Sequence, residues 1–126
     1  MMLMLSRAQM DSFAASAADS FVARMVTHIR RHFINFSALR DDEALRAVVS
    51  RGIRSAAGYS ITAERDVARY INVSVSLGLD FAEDPRLPWA LEILADRTLP
   101  PTTRTLRLHA RAVEHLRQRD GNHNDW

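Results

Sequence analysis

The sequence has no cysteine and no lysine, and all 17 of its basic residues are arginine. Without cysteine, the chain can form neither disulfides nor thiolate zinc sites, and it has no thiol nucleophile. Without lysine, it cannot use Schiff-base chemistry or a phosphate-binding loop of the Walker type. No Gly-x-Ser-x-Gly or similar catalytic motif is present either. We therefore expect a protein that is not an enzyme and that holds no cofactor.

Glycine and proline are also scarce, with four of each in 126 residues, which favours long helices over a turn-rich β architecture. Apolar residues make up 47% of the chain and the formal net charge is only +2, values that suit one globular domain. No stretch reaches the roughly 18 apolar residues of a membrane span, and Met1–Leu5 is too short for a signal peptide. We expect a cytoplasmic protein with one domain over residues 1–120 and a flexible tail at 121–126.

The first part of the chain predicts one long amphipathic helix. Ser6 and Gln9 form a capping box at its start. Apolar residues then recur every three or four positions: Met10, Phe13, Ala17, Phe21, Met25, Ile29 and Phe33. This face could also pair with a second copy of the chain, so a homodimer remains possible. We interpret Asn35–Arg40 as a connection.

The second predicted helix begins at Asp41 or Asp42, either of which can cap it. Its apolar face consists of Leu45, Val48, Val49, Ile53 and Ala56. Gly52 lies inside the pattern and indicates close approach of a neighbouring helix. Gly58 is expected at the C′ position, where it would adopt a positive φ.

The third predicted helix runs from an N-cap at Thr62 to Gly78. Within it, Ile71–Ser76 alternates polar and apolar residues as a strand would, and β-branched residues favour that alternative. Caps at both ends and the lack of a second strand favour the helix.

A short helix is expected from Pro88 or Trp89 to about Asp96, because proline suits the first helical position. Pro100 and Pro101 then mark a stiff linker. A last helix should run from about Thr102 to Arg119, with Leu106, Ala110, Val113 and either Leu116 or Arg117 facing inward. These patterns together predict an all-α, single-domain bundle of about five helices.

Three charged groupings have ordinary explanations that outweigh functional ones. His28 and His32 are four residues apart on one helical face, but a zinc site needs at least a third protein ligand. Asp66 and Arg69 can form an ion pair at the start of the third helix, which contributes only a few tenths of a kcal/mol if it is exposed, and capping and ion pairing are the favoured roles of this charged turn. The face formed by Arg104, Arg107 and Arg111 could cross a phosphate backbone. With no recognition motif beside it, a solvated face is the better interpretation, and nucleic-acid binding is not favoured.

The segment Leu79–Trp89 combines acids and aromatic residues between prolines. It is either a plug that fills the end of the bundle or a recognition surface, since tryptophan is enriched in interface hot spots. The plug is the favoured interpretation. If the segment is a surface, the residues expected to contact a partner are Asp80, Phe81, Asp84, Leu87 and Trp89.

Several segments resemble a known family: Phe21–Phe33, Gly52-Ile53, Tyr59–Val67, Leu77–Phe81 and Asp84–Ala90. The chain is similar, over about Ser6 to Leu116, to small helical proteins encoded in effector clusters of the bacterial type VI secretion system, beside VgrG or PAAR spike genes. The stretch Glu64–Ala90 is its most distinctive part. Members of the family tend to read Tyr-Gly-Ile where this chain has Ser60.

The resemblance implies a non-enzymatic co-chaperone or adaptor that binds a secreted effector or its chaperone and helps it load onto the spike. It supplies no catalytic residue. Two alternatives remain: an immunity protein that neutralises a cognate toxin, and a small arginine-rich protein that binds nucleic acid.

Overall fold

A computed structural model describes the backbone from Arg7 to Asn124 and the side chains of residues 17–119. Within these bounds the chain forms six α-helices and one short 3-10 helix, Phe81–Glu83, and no strand. The α-helices are α1 (Arg7–His32), α2 (Ile34–Ala38), α3 (Asp42–Ala57), α4 (Glu64–Leu77), α5 (Pro88–Leu94) and α6 (Pro101–Asn124). The predicted all-α class is confirmed, and the ambiguous segment 71–76 is helical.

Backbone contacts divide the chain into two compact units, one ending at Ser50 and the other starting at Arg51. The boundary falls inside α3. The single domain over residues 1–120 stays a prediction, and α6 extends past its predicted end at Arg119. None of the described helices is both long and apolar enough to cross a membrane.

In the first unit, α1 buries Phe21, Met25 and Ile29. These residues were predicted to lie on the apolar face, but Ala17 of the same series is exposed. The capping residue Ser6 lies outside the described residues, as do the side chains of Met10 and Phe13.

The expected connection Asn35–Arg40 is instead largely helical, because α2 occupies Ile34–Ala38. Its turn is closed by the backbone N–H of Ser37, which donates to the Phe33 carbonyl at 2.9 Å. The buried Ser37 hydroxyl donates to the Ile34 carbonyl at 3.2 Å. Both the N–H and the hydroxyl of Ser37 thus have hydrogen-bond partners close by in the chain. The sequence pattern did not predict this helical turn.

Arg30 joins α1 to the segments that follow it. Its Nε and Nη2 donate to one carboxylate oxygen of Asp42, at 2.9 and 2.5 Å. Its Nη1 and Nη2 also donate to the carbonyls of Ser37 and Arg40, at 3.3 and 3.2 Å. One arginine therefore ties the end of α2 and the start of α3 to α1.

The predicted cap of α3 is confirmed, since an Asp41 carboxylate oxygen accepts a hydrogen bond from the Ala44 N–H at 2.8 Å. The predicted C′ residue is wrong, because Gly58 does not have a positive φ and Ser60 does, at 63°. The N–H groups of Ser60 and Ile61 donate to the carbonyls of Ala57 and Ala56, the two bonds of a Schellman motif. The turn that ends the helix therefore lies two residues further on.

Gly52 meets α4 closely, as predicted. A β-carbon at this position would lie 2.5 Å from Cγ1 of Ile71, a side chain with no exposed surface. Such a distance requires one of the two helices to move, because Cγ1 is not the free end of the isoleucine side chain.

Gly52→Ala should therefore destabilise the protein by about 1–3 kcal/mol, the usual cost of overpacking. This is opposite to the gain of about 1 kcal/mol that alanine gives in an unobstructed helix. Chemical denaturation of Gly52→Ala, of Ile71→Ala and of the double variant measures the effect. The alanine at 71 removes the clashing atom, so the two changes should cost less together than the sum of their separate effects. Strict additivity would contradict a steric origin.

The N-terminus of α4 differs from the prediction. Ala63, not Thr62, is the N-cap residue, and no side chain caps it. The Ala63 carbonyl accepts from the N–H groups of Asp66 and Val67 at 3.0 and 2.9 Å, which places the first turn one residue later. The predicted end is confirmed at Gly78, which has a φ of 120°.

Asp66 is buried in the first turn of α4, with only 2% of its surface exposed. The predicted pairing with Arg69 is present, from Nη1 at 2.9 Å. The same carboxylate also accepts from the hydroxyls of Thr102 and Thr105 on α6, at 2.8 and 3.3 Å. The carboxylate of this pair is buried and not exposed, since two threonine hydroxyls replace the water that an exposed carboxylate would have.

The start of α5 at Pro88 is confirmed, although the helix ends at Leu94 and not near Asp96. The buried face of α6 was predicted wrongly. Leu106 is 49% exposed, Ala110 is exposed, and Val113 and Leu116 are only partly buried. The buried positions of α6 are Arg104, Thr105, Leu108 and Ala112.

Arg104 is buried because three backbone carbonyls surround its guanidinium group. Its Nη1 donates to Tyr59 at 2.8 Å and to Leu94 at 2.9 Å, and its Nε donates to Leu99 at 3.1 Å. These carbonyls lie after α3, at the end of α5 and before α6. Arg104 thereby holds three chain segments together, and the predicted solvated face of Arg104, Arg107 and Arg111 does not exist as such.

Candidate partner-binding surface

The structure separates the five residues predicted to contact a partner. Phe81 and Leu87 are buried, with 1% and 5% of their surface exposed. Trp89 and Asp84 are partly buried, and only Asp80 is fully exposed. The two buried side chains fill the interior of the second unit, which is the role of a plug.

Phe81 packs at the end of a short series of aromatic rings. Its ring centroid lies 5.1 Å from that of Tyr70, and the Tyr70 centroid lies 6.5 Å from that of Tyr59. Such separations are typical of stabilising aromatic pairs. The 3-10 helix that carries Phe81 is thus anchored on α4.

Trp89 is covered by side chains of α6. The Arg111 guanidinium lies over its indole at 4.9 Å, and the His115 ring centroid lies 6.0 Å away. Arg111 Nη1 is buried and has no hydrogen-bond partner within the described residues. Trp89 therefore joins α5 to α6, and Arg111 is not available as part of a basic surface.

The two predicted aspartates are each neutralised by a nearby arginine. Asp80 pairs with Arg51, and Asp84 accepts bonds from Arg86 Nε and Nη2 at 3.1 and 2.9 Å. The Arg86 side chain and the Arg86 backbone N–H together lower the pKa of the Asp84 carboxyl. Neither acid therefore presents an uncompensated charge to a partner.

A groove beside these residues is lined mostly by apolar side chains. It has a volume of about 410 Å³, and we call it the α5 groove. Its apolar lining consists of Ala82, Pro85, Leu87, Pro88, Leu91 and Ala95, and its acidic lining of Glu83, Asp84 and Glu92. Leu91 is 48% exposed.

The charge along the α5 groove is negative. Glu83 and Glu92 are exposed, and neither forms an ion pair with any residue of the described part of the chain. An apolar floor with uncompensated acids beside it fits the general anatomy of a protein-binding site. Sequence reasoning did not single out Leu91, because a seven-residue helix is too short for its period to show which side faces out.

His28 and His32, which the sequence favours as ordinary histidines over half of a metal site, are close in space, with ring centroids 4.6 Å apart. Among the described residues, no group of three or more histidine, aspartate or glutamate side chains is placed to hold a metal ion.

The chain was compared with known families, curated proteins and solved structures. No family model matches it, and neither a curated protein nor a solved structure is similar to it.

Proposed function

We propose that this protein is a non-enzymatic accessory protein that binds another protein through the α5 groove. The observation that carries the proposal is Leu91, a leucine almost half exposed in an apolar groove whose acids Glu83 and Glu92 have no local counter-charge. Isolated exposed leucines are common on protein surfaces. One that lies in a concave apolar site between uncompensated charges is a better candidate for a contact residue.

The chemistry of the groove also defines the partner. Aliphatic side chains would fill the apolar floor, and lysine or arginine side chains beside them would pair with Glu83 and Glu92. An amphipathic helix or extended segment with basic flanks meets both requirements. We propose that this segment belongs to another protein.

The resemblance to proteins of type VI secretion clusters suggests which protein that is. We propose a secreted effector or its chaperone, bound in the bacterial cytoplasm before the effector loads onto the secretion spike. The resemblance supports this context through the segments from Glu64 to Ala90, which include most of the groove.

Leu91→Asp should abolish capture of the partner, because an interface residue at the centre of a groove contributes about 2 kcal/mol or more, roughly a thirtyfold change in affinity. Leu106→Asp is a matched control: Leu106 is 49% exposed, against 48% for Leu91, and lies on α6 outside the groove. Each variant is co-expressed with each protein encoded beside its gene, and complexes are isolated through a tag on the variant.

Capture that survives Leu91→Asp, or that is lost equally with Leu106→Asp, would exclude the groove as the binding site. Failure of the unmodified protein to capture any neighbouring product would remove the proposed adaptor role. Protection of cells from a neighbouring toxin, without any effect on secretion, would identify an immunity protein instead.

A further inference from the structure

A second cavity, of about 400 Å³, lies in the same unit and differs in character from the α5 groove. The C-terminal half of α3 contributes Arg51, Arg54 and Ser55 to its lining. Tyr70 of α4 and Glu83 of the 3-10 helix line it as well. This volume falls within the range of small-molecule sites, and it exceeds that of a single amino acid.

The charges that line this cavity are not all compensated. Arg51 pairs with Asp80, so these two groups neutralise each other. Arg54 and Glu83 are both exposed and line the same cavity, yet they do not pair with each other or with any other residue in the described part of the chain. The cavity thus holds one free positive and one free negative group, on two different elements.

The inner surface of the cavity is formed by neutral hydroxyl groups. Tyr70 is only 2% exposed, and both its phenol and the Ser55 hydroxyl line the cavity. Burial, with smaller effects from Tyr59 and Glu83, raises the pKa of Tyr70 to about 12, so the phenol stays protonated at neutral pH. The hydroxyls can donate to or accept from a ligand without adding charge, and the aromatic rings supply apolar contact.

We propose that this cavity binds a small zwitterion of amino-acid to dipeptide size. Arg54 pairs with the ligand carboxylate, and Glu83 pairs with its ammonium group. Arginine suits the first task because its planar fork matches a carboxylate. The ligand's side chain lies against Tyr59 and Leu79, which line the same cavity. The cavity shares Ala82 and Glu83 with the α5 groove, whereas Arg54 and Ser55 line the cavity and not the groove, so Arg54→Gln tests ligand binding without altering the groove.

The test uses the dipeptide glycyl-L-leucine, its N-acetyl derivative and its C-terminal amide, titrated into the full-length protein and followed by backbone amide NMR shifts. The free dipeptide should bind about tenfold or more tightly than either blocked form, because each blocking group removes one charge-assisted contact. The shifts should be confined to residues 51–59, 70 and 79–83. No saturable binding at millimolar concentrations, or equal binding of the three compounds, would overturn the proposal.

Two variants assign the roles of the charged groups. Arg54→Gln should remove the preference for the free dipeptide over its amide, and Glu83→Gln should remove the preference over the N-acetyl derivative. Arg107→Gln, an exposed arginine of α6 outside the cavity, is the control and should bind as the unmodified protein does. Since Arg54 and Glu83 are exposed, their variants should fold normally, which thermal unfolding checks. Unchanged preferences in both variants would refute the assignment.

Discussion

Asp66→Ala should lower the free energy of unfolding by about 3–5 kcal/mol, which is the usual effect of removing one partner from a buried charge pair. The Asp66 side chain is 3% exposed and that of Arg69 is 28% exposed, so little water can replace the lost contact. The Thr102 hydroxyl also loses its acceptor, while the Thr105 hydroxyl keeps the Thr102 carbonyl at 3.1 Å. The total free energy of unfolding of a small domain is only about 5–15 kcal/mol, so the variant should be close to unfolding at moderate temperature.

Urea denaturation followed by circular dichroism measures this change. Asp66→Asn keeps the shape of the side chain and one oxygen acceptor, so its free energy of unfolding should fall by less than that of the alanine variant. Asp80→Ala is the matched control: Asp80 also pairs with an arginine, but its side chain is 75% exposed. A surface pair contributes at most about 1 kcal/mol, and the control should stay within that limit. Equal losses of unfolding free energy in the two alanine variants would show that burial does not increase the contribution of Asp66 to stability.

Arg104→Met should cost a similar amount, about 3–5 kcal/mol. Methionine fills much of the same volume, but it leaves the carbonyls of Tyr59, Leu94 and Leu99 without their donor. Each buried acceptor without a partner costs about 1–3 kcal/mol. The loss should also loosen the three segments that these carbonyls belong to, so hydrogen exchange should accelerate around residues 59 and 94–99.

Arg104→Lys tests whether the forked geometry matters. A lysine ammonium is a compact point charge and cannot repeat the Nε and Nη1 contacts together, so most of the loss should remain. Arg107→Met on the exposed side of the same helix should change the stability by no more than about 0.5 kcal/mol. If Arg104→Met unfolds at the same denaturant concentration as Arg107→Met, the buried hydrogen bonds make no net contribution.

These two residues also show where sequence reasoning fails. Helix positions were largely predictable, because glycine, proline and aspartate mark ends and apolar spacing marks the helical period. The buried face of α6 was not predictable, since apolar spacing assigns leucine to the buried face and arginine to the exposed face. Thr105 and Arg104 are buried because Asp66 and three carbonyls satisfy them. Two of these partners, Asp66 and the Tyr59 carbonyl, lie 39 and 45 positions away in the sequence. Leu106 is displaced to the surface as a consequence.

The candidate site was predictable only in part. The sequence located the segment Leu79–Trp89, and its apolar residues do pack inside. It did not identify Leu91, nor that Arg51 and Arg86 would neutralise the two predicted aspartates. Arg51 lies 29 positions before Asp80, so only the folded chain brings them together. Arg54 and Glu83 can be recognised as unpaired charges only once the ion pairs of the folded chain are known.

Ser60 shows how an unfavourable backbone conformation can be retained. A serine with a φ of 63° lies in the region where glycine has no steric cost. Its hydroxyl, however, accepts a hydrogen bond from Arg97 Nη1 at 2.8 Å, which a glycine could not do. The serine therefore offsets a less favourable backbone conformation with a side-chain contact between two loops.

Gly52 lies near the cavity for which we propose a zwitterionic ligand. Tyr70 directly precedes Ile71, and Ser55 lies one helical turn after Gly52. Ile71 occupies the space where a β-carbon of residue 52 would be. Any side chain at position 52 would act as a wedge that separates α3 from α4. The absence of a side chain at position 52 thus keeps α3 and α4 close together, beside the residues of both helices that line the cavity.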